Sequence, residues 1–151
     1  WKWAPEGNPK ARNFKFQSEY FRRNEHGNLS CDDADAATPS LCSGGSSDAY
    51  RARLSGWYAQ GIYQFMPRWR VGLRYDRLDM GSLDYGVNNA FLLAADYHPN
   101  KWSLMTDYAP SEFTLFRLQL SRDHAMQGNP DNSQIALQYI YSLGPHGAHK
   151  F

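Results

Sequence analysis

Strict two-residue alternation constrains this chain more than any other feature, and it is clearest in residues 101–122, KWSLMTDYAPSEFTLFRLQLSR. In the first arm Trp102, Leu104, Thr106 and Tyr108 share one face, with Lys101, Ser103, Met105 and Asp107 on the other. In the second arm Thr114, Phe116, Leu118 and Leu120 lie opposite Leu115, Arg117, Gln119 and Ser121. Successive side chains point to opposite sides of a strand, so this period specifies two strands and not a helix. Pro110, within Ala109-Pro110-Ser111-Glu112, supplies the fixed φ that a tight turn uses, which puts the expected turn at those four residues.

The pattern recurs along the chain. In residues 12–25, Phe14, Phe16, Ser18 and Tyr20 oppose Lys15, Gln17, Glu19 and Arg23, with Phe21 on the polar side. In residues 49–66, Trp57, Ala59, Gly61, Tyr63 and Phe65 oppose Tyr58, Gln60, Ile62 and Gln64, and Pro67-Arg68 turns the chain. Residues 69–79 set Trp69, Val71, Leu73 and Tyr75 against Arg70, Gly72, Arg74 and Asp76, while residues 133–143 set Ile135, Leu137, Tyr139, Tyr141 and Leu143 against Gln134, Ala136, Gln138 and Ser142. Trp1–Trp3 reads as a strand end. Three polar stretches, 29–48, 80–100 and 123–132, are too long for ordinary turns and read as surface loops. Residues 90–98, AFLLAADYH, are a further strand candidate and are taken with the 80–100 loop.

The polar faces carry charge and the apolar faces carry aromatics, so the question is what each face meets. Lys and Arg number 16 against 15 Asp and Glu, which gives no general attraction to nucleic acid, and no nucleic-acid partner is expected. No apolar run approaches the roughly 18 residues of a membrane helix. Membrane strands need only about 9–11 residues with every second one apolar, so a β-barrel is compatible with a mean hydropathy of −0.69. Ten Tyr, 8 Phe and 5 Trp among 151 residues, together with alternating long and short connections, favour such a barrel. A soluble all-β ligand-binding domain, with its apolar faces packed inward, is the alternative.

The expected fold is therefore all-β: a single antiparallel up-and-down transmembrane barrel segment over residues 1–151, of six to eight strands, with 29–48, 80–100 and 123–132 extracellular and 145–151 a C-terminal tail. Six strands do not close a water-filled barrel, and open edges are not viable in hydrocarbon, so further strands are expected from elsewhere in a longer parent chain or from copies of this one. Trp1-Lys2-Trp3-Ala4-Pro5 begins in mid-pattern and has no signal-peptide character, so the chain is expected to be the C-terminal piece of a longer one, with a processed protein as the alternative.

The order NFKFQSEYFRRNEHG, GWYAQGIYQFMPRWRVGLRYDRLD, SLMTDYAPSEFTLFRLQLSRD and SLGPHGAHKF resembles the C-terminal half of proteobacterial outer-membrane barrels described as porin-like or as zinc-regulated TonB-dependent receptors. The resemblance covers nearly the whole chain and is most specific at the SEF turn and the GAHKF ending. It implies residence in the outer membrane of a Gram-negative bacterium, contact with lipid and with the barrel-assembly machinery, and passage of a small solute, a metal ion or metal complex among the candidates. Terminal Phe151 resembles the aromatic assembly signal of such barrels.

On this reading Lys15, Glu19, Arg23, Gln60, Gln64, Arg70, Arg74, Asp76, Asp107, Arg117 and Gln119 line an aqueous lumen. Arg70, Arg74 and Arg117 are read either as a basic stripe that attracts anions or as ion-pair partners that stiffen the wall. His146 and His149 are the one closely spaced histidine pair and are candidate zinc ligands, given a third group; solvated histidines are the alternative. His26, His98 and His124 stand singly near strand ends. Cys31 and Cys42, in loop-like sequence, are expected to form a disulfide worth about 3 kcal/mol, against the alternative of two free thiols. No nucleophile elbow, acid–base pair or phosphate loop is present, so no enzymatic activity is expected. A barrel that is structural only, without transport, is the remaining alternative.

Overall fold

The alternating segments form seven strands, β1 (Lys2–Trp3), β2 (Asn13–Ser30), β3 (Ser47–Met66), β4 (Trp69–Asp84), β5 (Asn100–Ser111), β6 (Thr114–His124) and β7 (Asn132–Tyr141). The computed structural model describes residues 1–5, 10–30, 47–90, 92, 97–125 and 131–143. The strands pair in chain order as one antiparallel up-and-down sheet with β1 and β7 as its edges. Tight turns at 67–68 and 112–113 follow β3 and β5, whereas 31–46, 85–99 and 125–131 follow β2, β4 and β6. Two compact units divide the chain: Trp1–Ser18, Tyr58–Asp76 and Asn100–Phe151 in the first, Glu19–Trp57 and Arg77–Pro99 in the second.

The opening hairpin pairs as its alternation requires, with Leu104 opposite Leu120, Thr106 opposite Leu118 and Asp107 opposite Arg117. Its turn, however, lies at Glu112-Phe113 and not at residues 109–112. Ala109 and Pro110 remain in β5, where the register shifts between Tyr108 and Ser111 so that these two residues face Leu115 alone. Proline has no N–H for the ladder, and a bulge is where a strand tolerates that loss. Ala109 N–H is used instead, donating to the Arg68 carbonyl at 2.9 Å. The Ser111 hydroxyl then closes the turn, accepting from Phe113 N–H at 3.3 Å and donating to Thr114 Oγ1 at 3.1 Å.

β2 and β4 run to Ser30 and Asp84, beyond the ends at 25 and 79 that alternation marks. Backbone pairing continues once neighbouring strands are in register, and it needs no apolar face to do so. Within the second unit, polar and aromatic contacts replace that face: the Tyr50 hydroxyl donates to Glu25 at 3.2 Å and its ring stacks on Tyr85 at 5.8 Å. Residues 86–90 form a short 3-10 helix, Gly86–Ala90, and no strand occurs among the described residues of 90–98. Asp48 accepts from Ala49 and Val87 N–H at 2.7 and 2.8 Å, and these bonds hold its carboxyl below the ordinary value.

Two backbone positions make opposite demands. Arg68 follows Pro67 with φ of 73°, the left-handed residue that a Pro-initiated turn of type II places at its third position and that glycine fits best. Gly81 has φ of 54°, and a Cβ there would overlap the Arg53 carbonyl oxygen. Arg68→Gly is expected to raise stability by about 0.5–1 kcal/mol and Gly81→Ala to lower it by about 2 kcal/mol or more. Denaturant midpoints check both, and a loss at residue 68 would show that its side chain contributes more than its backbone strain costs.

Candidate functional site

Burial on the β5–β6 hairpin is inverted with respect to polarity. On the polar face of the β5–β6 hairpin Asp107 is 0% exposed and Ser121 7%, whereas on the apolar face Leu104 is 45%, Phe116 47% and Leu118 41% exposed. Ala52 is the only buried apolar side chain among the described residues. A soluble domain of this length normally buries a contiguous set of aliphatic residues.

The polar face is a cross-strand ladder fixed by register. Lys101 faces Asp123, Ser103 faces Ser121, Met105 faces Gln119 and Asp107 faces Arg117. The two serine hydroxyls bond at 3.1 Å, and Gln119 donates to Ser121 at 3.2 Å. Lys101 Nζ lies 3.6 Å from the Asp123 carboxylate. Asp107 is the centre: Arg117 grips both of its oxygens, Nε to Oδ1 at 2.7 Å and Nη2 to Oδ2 at 3.0 Å, while Arg70 from β4 donates to Oδ2 at 2.9 Å. Charge-assisted bonds of this kind offset the cost of taking a carboxylate out of water.

Arg74 clamps Asp76, two residues along the same face, at 2.6–2.9 Å, and its guanidinium stacks 3.9 Å over the Tyr58 ring. Gln60 donates to Gln17 at 2.9 Å. Gln64 accepts from Asn13 at 3.0 Å and donates to the Lys10 carbonyl at 2.7 Å. A concave cavity of about 430 Å³ opens among Gln60, Arg74, Asp76, Lys101, Arg117 and Gln119. Gly72 forms part of its floor, where a Cβ would press on Met105. A second cavity, about 400 Å³, lies by the tight turns and includes Gln64, Arg68, Arg70, Ser111 and Glu112.

Eight of the expected lumen residues, Gln60, Gln64, Arg70, Arg74, Asp76, Asp107, Arg117 and Gln119, thus lie on this face of the first unit. Lys15 is half-buried on β2 and stands opposite Lys2 in register. Glu19 and Arg23 belong to the second unit, both exposed, with Arg23 paired to Glu25. Lys101, Ser103, Ser121 and Asp123 join this face without having been among the expected lumen residues, although their parity matches that of Asp107 and Arg117. Polar residues without an unusual type carry a signal only through the register that brings them opposite one another.

The apolar face carries a row of rings across four adjacent strands. Trp69 lies 4.7 Å from Tyr108, Tyr108 6.5 Å from Phe116, and Phe116 4.9 Å from Tyr139. Further along β4 and β5, Tyr75 and Trp102 meet at 4.5 Å.

His98 lies near Asp79 at 3.6 Å and His124 near Asp131 at 2.9 Å; among the described residues no three metal-ligating side chains converge. Cys31, Cys42, His146, His149 and Phe151 lie outside the described residues. Asp131 also binds Arg122 at 2.6 and 3.0 Å, and that hydrogen bond chiefly holds its carboxyl below the ordinary value, with the nearby His124 adding to the effect. Because the folded value is the lower one, the contribution of this clasp is complete above about pH 4 and is lost as pH falls through the folded value. Asp131→Asn is expected to remove that acid-dependent step from amide exchange at Asn132 and Ser133, with little change elsewhere.

No family model matches the chain, and no solved structure matches it. An uncharacterised protein of Aquifex aeolicus (strain VF5) is 28% identical over 144 residues, 93% of this chain and 27% of that protein. The chain therefore spans about a quarter of the length of the relative it matches.

Proposed function

We propose that this chain is a sector of a transmembrane β-barrel in a Gram-negative outer membrane, of the porin-like or receptor type, whose polar face lines a conduit for a small solute. The inverted burial carries the reading. Side chains that water would exclude, Leu104, Phe116, Leu118 and Leu137, stand exposed, while Asp107 is enclosed. Lipid supplies the missing apolar contact on one side, and on the other the barrel interior supplies water for Arg70, Arg74 and Arg117. β5, β6 and β7, at 12, 11 and 10 residues, are close to the length of a tilted membrane strand. The row from Trp69 to Tyr139 fits the interfacial aromatic girdle of such a barrel. The edges at β1 and β7 pair with strands from the rest of a longer polypeptide, since an open edge in hydrocarbon leaves its N–H and C=O groups unsatisfied.

The full-length protein is expected to require detergent, to migrate faster on gels when unboiled than when boiled, and to conduct ions in a planar bilayer. A monodisperse protein in detergent-free buffer overturns the membrane reading in favour of a soluble all-β domain. Heat-modifiable migration without conductance supports a structural barrel instead of a channel.

A further inference from the structure

The burial of one carboxylate bears on which solutes such a conduit passes. Among the ion pairs of the polar face in the first unit, four cations, Arg70, Arg74, Lys101 and Arg117, meet three carboxylates, Asp76, Asp107 and Asp123. The imbalance is at Asp107, which takes two arginines. Burial then makes the presented charge more unequal than the count. The Asp107 side chain is 0% exposed, whereas those of Arg70 and Arg117 are 39% and 31% exposed. A solute at this wall therefore meets guanidinium edges and not the carboxylate beneath them. Arg117 lines the cavity of about 430 Å³ and Arg70 the one by the tight turns, so the two arginines that Asp107 holds reach both. Arg70 uses one Nη2 contact on Asp107, which leaves further N–H donors of its five-donor fork for an incoming oxygen. Lys15 on the polar side of β2 adds positive charge, and Arg68 and Glu112 at the second cavity offset each other.

Resting on the channel reading above, we propose that Arg70 and Arg117, held by buried Asp107, form an anion-selecting station for small anions such as carboxylates or phosphates. In this arrangement Asp107 is a positioning residue. It fixes the two forks at the wall without presenting its own charge, and charged rings of this sign favour anion passage in narrow pores. The ion-pair and basic-stripe roles of these arginines are then one arrangement, since pairing orients the guanidinium groups that the solute meets.

The test is the reversal potential of the full-length protein in planar bilayers under a potassium chloride gradient, followed by titration with inorganic phosphate. The wild type is expected to pass chloride over potassium by about threefold or more, with phosphate reducing chloride current at millimolar concentration. Arg70→Gln leaves the two-point Arg117–Asp107 grip in place, so the barrel still forms, as unboiled migration checks, and the ratio is expected to fall toward one. Arg70→Lys is expected to retain selectivity and lose most of the phosphate block, since a point charge lacks the fork. Cation preference in the wild type, or an unchanged ratio in Arg70→Gln, overturns the anion station and leaves the channel reading standing. Absence of any conductance overturns both.

Discussion

Arg117→Met is expected to cost about 3 kcal/mol of folding free energy, because it leaves a fully buried carboxylate with one partner where it had two. Arg117 is the cross-strand neighbour of Asp107 and supplies two of its three bonds, so Arg70 alone does not replace it. The cost comes from desolvated charge more than from a lost contact, which gives a specific signature. Adding Asp107→Asn to Arg117→Met is expected to recover at least about 1 kcal/mol, since a neutral amide tolerates the same enclosure at lower cost. Unfolding by guanidinium in detergent micelles or lipid vesicles checks the cycle. Strict additivity of the two substitutions would show that Asp107 is not stabilised mainly by this pair.

Leu118→Arg is expected to be the second large effect, and its size depends on the surroundings. Leu118 lies near the middle of β6, 41% exposed, with Thr106 and Leu137 as its cross-strand neighbours. In a bilayer a mid-span arginine on the lipid face costs about 2–4 kcal/mol. On a water-exposed surface the same substitution falls within about 0.5 kcal/mol of neutral. Leu143→Arg, beyond the end of β7, is the comparison, and there the two surroundings predict similar small changes. A neutral Leu118→Arg in vesicles would remove lipid from that face.

Much of the sheet was legible because a period of two depends only on local geometry. Face assignments for Phe14, Phe16, Ala59, Gly61, Tyr63, Val71, Trp102 and Leu104 agree with one shared apolar surface in the first unit. Connection order followed from the same strings. Where alternation faded, it misplaced strand ends: β2 and β4 continue through polar residues held by ladder bonds and by contacts such as Tyr50 with Glu25. Pro110 misled in a different way, because proline serves a bulge as well as a turn, and the choice depends on whether a neighbouring strand needs its N–H.

The sequence by itself determined which side chains share a face, that the faces are charged and aromatic, and that tight and long connections alternate. Only the tertiary structure decided that Asp107 and Ser121 on the polar face of the β5–β6 hairpin are buried, and that Arg70 of β4 and Arg117 of β6 converge on Asp107 of β5. Parity within a strand comes from the backbone of that strand alone. Which residues meet across strands depends on register, and register here rests on two tight turns and on a bulge at which the Ala109 N–H bonds the Arg68 carbonyl of a segment distant in the chain.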